Sequence, residues 1–138
     1  MSSTSKPLIG CFCKDPSFPE LIETIILKKL NADFFPAYMV KSAISALEGH
    51  HFDLVITGHL FEDGTSQQIL SWLQGHEAQG AIPCILLSSI PKWDIPHHTY
   101  SNFHYLSKGH LASLYLQVTE LLYENKSRGP KGSEDERR

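Results

Sequence analysis

Short apolar runs alternate with segments of helical period along this chain, and that alternation limits the fold more than any single residue does. Leu8-Ile9-Gly10-Cys11-Phe12 opens the series as a buried-strand pattern, closed by Lys14-Asp15-Pro16. Between residues 16 and 30, Phe18, Leu21, Ile22, Ile25, Ile26 and Leu30 recur at steps of three and four, as one helix face requires. Residues 33–39 form a weaker strand pattern bent at Pro36. A short helix is predicted over 40–47, with Val40, Ala43, Ile44 and Leu47 on one side and Gly49 as its stop.

Phe52-Asp53-Leu54-Val55-Ile56-Thr57 is short, β-branched and bounded by turn residues, the signature of a central strand. Gly64 leads into a helix through Ile69, Leu70, Trp72 and Leu73. Residues 82–87 read as another buried strand, with Pro83 near its start where a missing N–H is tolerated. Pro91 and Pro96 then forbid a full helix between them, so a short or irregular segment is expected up to Asn102. Residues 103–106 form the last strand pattern, and Leu111, Leu114, Val118, Leu121 and Leu122 mark a closing amphipathic helix.

This is a β-α unit repeated five times, with the fourth helix shortened or irregular. Near-continuous apolar strands separated by helices imply an α/β, doubly wound, five-stranded parallel sheet covered on both faces. The working surface of such a sheet lies beyond the carboxyl ends of its strands. Here those ends offer Cys13-Lys14-Asp15, Gly58-His59, Ser88-Ser89 and Lys108-Gly109.

A chain of 138 residues suffices for one domain and one core. No apolar run is long enough for a membrane span, and the first six residues have no secretory apolar core, so a cytoplasmic protein is expected. Residues 126–138 hold no large apolar side chain and read as a disordered tail or linker after a domain at 6–125. That tail carries five of the 12 basic residues and three of the 15 acidic ones, so residues 1–125 keep seven basic against 12 acidic groups, a net of -5. Nucleic-acid binding by the domain is therefore not expected. Cys11, Cys13 and Cys84 form no C-x-x-C pair and suggest neither disulfides nor zinc. The eight histidines include the adjacent pairs His50-His51 and His97-His98, without the spacing of a metal motif, and no metal or other cofactor is expected.

The strand ends resemble the receiver domain of bacterial response regulators, a flavodoxin-like (βα)5 fold, over nearly all of residues 6–125. Residues 52–58 look like that family's third strand running into its phosphoacceptor. Residues 82–89 are similar to the fourth strand, which puts Ser88 at the switch hydroxyl. Tyr105-Leu106-Ser107-Lys108 resembles the fifth, with Tyr105 at the switch aromatic and Lys108 at the phosphate-binding lysine.

The departures bear on function. Where the family carries its acceptor aspartate, this chain has Gly58, which supplies no nucleophile. The family's Mg²⁺-binding acidic pair is matched by Cys13 and Lys14, leaving only Asp15 acidic in a less central place. A thiol and an ammonium are unsuited to a cation that prefers hard oxygen ligands. The proline usual after the lysine is Gly109, and the one usual in the acceptor loop is Glu62. The resemblance thus implies a pseudo-receiver: a non-enzymatic signalling module acting through a protein partner or output domain without phosphorylation.

Several sharper readings compete with it. Asp63 and Asp53 are candidate acceptors, against solvated or capping roles. Cys13 could serve a flavodoxin-like thiol or phosphotransfer enzyme, although neither an arginine nor a glycine-rich turn follows it. A small anion could bind near Lys108, Ser88 and Lys14. Trp93 and Tyr100 flank the degraded helix, where they either anchor a partner beside Tyr105 or fold inward. In receivers the fourth helix, fifth strand and fifth helix form the common homodimer face.

Overall fold

The computed structural model describes residues 6–27, 30–76, 80–91 and 100–127. Within them β1 (Leu8–Phe12), β2 (Asp33–Ala37), β3 (Leu54–Thr57), β6 (Cys84–Ser88) and β7 (Phe103–Ser107) form a parallel sheet in the order β2-β1-β3-β6-β7. A two-stranded hairpin, β4 (Leu60–Phe61) with β5 (Gly64–Thr65), follows β3. The helices are α1 (Ser17–Leu27), α2 (Val40–Gly49), α3 (Ser66–Gly75) and α4 (Leu114–Ser127), the last preceded by a 3-10 turn, Lys108–Ser113. The expected doubly wound parallel sheet is the observed one.

Alternation along the strands sends side chains to two cores. Ile9, Cys11 and Cys13 of the first strand and its end pack with Leu54, Ile56 and Ile22 under α1 and α4. Phe12 and Val55 face the other way, into the cluster that α2 and α3 close with Ala43, Leu47, Ile69 and Leu70. All four residues of β3 are buried, which explains the unbroken apolar run at its position in the sequence. Gly10 is required by its neighbours: a Cβ there would stand 2.8 Å from Cζ of Phe12. The ring of Phe12 meets Phe52 edge-on at 5.9 Å, so the glycine leaves room for this aromatic pair.

Three details differ from the sequence reading. The β4–β5 hairpin was not expected, because two-residue strands carry no periodicity. The closing helix starts as a 3-10 turn and its α-helical part runs to Ser127, two residues into the segment read as tail. Tyr100, considered as a partner anchor, is only 4% exposed. It joins the α2–α3 core and donates its hydroxyl to the Ile82 carbonyl at 2.6 Å, so it folds inward and offers no surface contact. Trp93, Pro96 and the His97-His98 pair lie outside the described residues. Among the described residues no helix is long and apolar enough to cross a membrane.

Candidate functional site

The strand order places β1 beside β3, with β2 on one side and β6 on the other, so connections leave β1 and β3 toward opposite faces. A cavity of about 270 Å³ opens at that point, beyond the carboxyl ends of the strands. Cys13, Lys14 and Asp15 reach it from β1, Gly58 and His59 from β3, Ser88 and Ser89 from β6, and Lys108 from β7. The structure therefore gathers the strand-end residues singled out in the sequence around one space, with the exception of Gly109. Phe18, Leu60, Leu87 and Ile90 supply its apolar wall.

Gly58 is fixed by the sheet: its N–H donates to the Phe12 carbonyl at 2.8 Å, and its own carbonyl accepts from the Thr57 hydroxyl at 2.9 Å. A Cβ at this position would meet nothing nearer than the Phe12 carbonyl oxygen at 4.0 Å. Sterics thus permit a side chain, and the sequence simply has none.

Asp15 is engaged in shaping α1. Its Oδ1 accepts from the Ser17 N–H at 3.0 Å and from the Ser17 hydroxyl at 2.9 Å, a cap on the first turn. These two bonds, with a smaller contribution from Lys108, hold its carboxyl below the usual aspartate range. Lys108 places its ammonium over the Phe18 ring, 4.6 Å from the centroid, and among the described residues it has no ion pair. The sequence offered no sign of this contact between residues of β7's end and α1.

Cys13 is buried, its N–H bonded to the Ala37 carbonyl at 2.9 Å. A hydrogen bond between the Cys11 and Cys13 side chains, followed by burial, pushes the Cys11 thiol well above its usual range. The chain's arginines all lie beyond residue 127, so none of the described residues could clamp an anion bidentately beside Cys13.

His59, next to Gly58, was placed at the strand end from sequence but given no role there. Its Nδ1 shares a 2.8 Å hydrogen bond with the buried Ser66 hydroxyl, while its carbonyl accepts from the Ser66 N–H at 2.8 Å. Burial holds the imidazole below its ordinary value. The two aspartates weighed as alternative acceptors are capping groups. Asp53 accepts from the Leu8 N–H at 2.8 Å, and Asp63 accepts from the Val40 and Lys41 N–H groups at 2.7 and 2.9 Å.

No protein-family model matches the chain, and no curated protein matches it in sequence. Solved structures do match it over most of its length. The signal receiver domain of an HD domain-containing protein from Pseudomonas fluorescens Pf-5 superposes with a TM-score of 0.75 at 20% identity, over 89% of this chain and 99% of that one. A CheY-like response regulator receiver domain protein from Methanospirillum hungatei JF-1 gives 0.73 at 14% identity, over 91% and 100%. The phosphorylated cyanobacterial phytochrome response regulator RcpA gives 0.68 at 16% identity, over 87% and 93%. The fold is the receiver fold.

Receiver chemistry implies Mg²⁺ at the strand ends, and the residues here do not fit it. Cys13 offers a buried thiol, Lys14 a positive charge, and Asp15 a carboxylate already accepting two hydrogen bonds. Among the described residues no group of three or more His, Cys, Asp or Glu side chains is placed to hold a metal ion. The two residues expected at switch positions, Ser88 and Tyr105, stand differently. Ser88 is buried, its hydroxyl oxygen accepting from the Ile90 N–H at 3.0 Å. Tyr105 is half-buried and donates to the Ile90 carbonyl at 2.5 Å.

Proposed function

We propose that this domain is a pseudo-receiver, a cytoplasmic signalling module that works through protein–protein contacts without being phosphorylated and without enzymatic activity. One observation carries the reading: Gly58 occupies the end of β3 at the mouth of the cavity, where a phosphoryl acceptor would need a carboxylate. The surroundings support it. Lys14 brings positive charge where a metal ligand would stand, and the remaining carboxylate, Asp15, is committed to Ser17.

The partner surface in this reading is formed by β7 and α4. Leu116 and Tyr123 of α4 are 65% and 59% exposed, and their seven-residue separation sets them on one face of the helix. Exposed apolar side chains at that spacing suit a second helix or another copy of this face. Tyr105 ties the same region to the cavity through Ile90. Two conformers with different partner affinities would be needed for signalling through this link.

Incubation with acetyl or carbamoyl phosphate and Mg²⁺ should leave the intact mass unchanged. A gain of one phosphoryl group would defeat the proposal. The competing thiol-enzyme reading is tested by iodoacetamide, to which the buried Cys13 should respond far more slowly in the native protein than in urea.

A further inference from the structure

The amino ends of the strands frame a different cavity, of about 330 Å³. Crossover helices run back against the strands they join, so α2 and α3 end side by side where the paired strands β3 and β6 begin. Helix carboxyl ends concentrate partial negative charge, and neither helix has a basic residue in its last turn to offset it. Glu48, exposed near the end of α2, adds a full negative charge to the cavity wall. Among the described residues no lysine or arginine lines that wall.

Two histidines occupy matching places on this wall. His50 Nδ1 bonds the Ala46 carbonyl at 3.2 Å and His76 Nδ1 the Trp72 carbonyl at 2.7 Å, each four residues back. A carbonyl only accepts, so a neutral ring at either position carries its hydrogen on Nδ1 and presents Nε2 as an acceptor. Phe35 lies against the His50 ring, 4.5 Å between centroids, and Trp72 stacks on His76 at 3.7 Å, which holds both acceptors in place. We propose that this cavity binds a small organic cation with N–H donors, an alkylammonium or alkylguanidinium, held by the Glu48 carboxylate and by Nε2 of His50 and His76. Leu47 and Ile82 give its carbon body an apolar surface. A metal ion does not suit the wall: among the described residues no three ligating side chains converge, and the volume lies at the lower end of the range for organic ligands. The site is independent of Gly58, which lies at the other end of the sheet.

Calorimetry and thermal unfolding of the full chain test this at pH 8, where imidazoles are neutral. Butylammonium and butylguanidinium chloride are each compared with sodium chloride at equal ionic strength. Binding of either supports the site, and the tighter one names the head group; at ten times its Kd it should raise Tm by about 5 °C. Tetramethylammonium, a cation without N–H groups, should bind about tenfold more weakly. Equal binding would overturn the role of the two acceptors. Glu48→Gln, at an exposed position, should weaken binding about tenfold. Glu20→Gln, in the first turn of α1 on the other face of the sheet, should not; equal losses would show diffuse attraction in place of a site. His76→Phe keeps a ring on Trp72 but removes Nε2, and should weaken binding about fivefold, with circular dichroism checking that the variant folds. Nitrogen NMR should shift the Nε2 signals of His50 and His76 on adding ligand and leave that of His59, at the far end of the sheet, in place. No excess effect over sodium chloride at tens of millimolar, or full binding by Glu48→Gln, overturns the proposal.

Discussion

Ser88 and Tyr105 hold the same residue from opposite sides. Ser88 Oγ accepts from the Ile90 N–H at 3.0 Å, and the Tyr105 hydroxyl donates to the Ile90 carbonyl at 2.5 Å. The two side chains come from neighbouring strands, since Ser88 ends β6 and Tyr105 lies within β7. The first turn after β6 is thereby clamped to the cavity on one side and to the β7 surface on the other.

Tyr105→Phe should remove one of these bonds and leave the Ile90 carbonyl to solvent, at a cost of about 1 kcal/mol in urea denaturation. Ser88→Ala should cost a similar amount through the Ile90 amide. Because both act on one residue, the double variant should depart from additivity by at least about 0.5 kcal/mol. Strict additivity would show that the two bonds are independent and that Ile90 does not link the site to β7.

The sheet was legible because burial on both faces writes unbroken apolar runs, as in Leu54-Val55-Ile56-Thr57. The gathering of Cys13, Lys14, Gly58, Ser88 and Lys108 followed from the rule that parallel strands present their carboxyl ends together. What stayed hidden depends on partners distant in sequence. Asp63 caps α2 from 22 and 23 residues away, a separation that no local pattern announces. The contact of Lys108 with Phe18 joins opposite ends of the domain. Tyr100 was ambiguous for another reason: the direction of an aromatic residue in an irregular loop depends on how much sheet the neighbouring helices leave uncovered.

Gly58→Asp should fold, since the added Cβ has no close contact. We expect a change in stability within about 1 kcal/mol, as for most substitutions without a clash. Restoring this carboxylate alone should not restore phosphorylation, because Cys13 and Lys14 still provide no oxygen ligand for Mg²⁺. Gly58→Asp/Lys14→Asp, which adds a second carboxylate at an exposed position, should bind Mg²⁺ measurably by calorimetry. A phosphoryl gain by Gly58→Asp alone would contradict the account of the metal site.

Asp63 fastens the β4–β5 hairpin to the start of α2, whose N-cap residue Met39 makes no side-chain cap bond. The Lys41 N–H, followed by that of Val40, holds the Asp63 carboxyl below its usual range. A depressed folded-state value means the contribution is complete above the unfolded value of about 3.9 and is lost as pH falls through the lower folded value. Asp63→Ala should therefore lower the urea midpoint at pH 7, with the difference from wild type shrinking toward zero in acid. Amide exchange at Val40 and Lys41 should also accelerate. A stability gap that persists unchanged below pH 3 would assign the effect to something other than this charged cap.

His59 gives the pH range just below neutrality a distinct signature. Burial disfavours its imidazolium, so its folded-state value lies below the ordinary 6.5. Above 6.5 the ring is neutral in both states and its share of stability is complete. Between that value and the lower folded one, the unfolded chain binds more protons than the native chain, and stability falls as pH falls. His59→Gln should flatten this part of the curve while keeping a polar group within reach of Ser66. Proton NMR should find His59 titrating below 6.5 in the native protein. Titration above 6.5 would reverse the sign and show that the charged ring is favoured beside the cavity despite its burial.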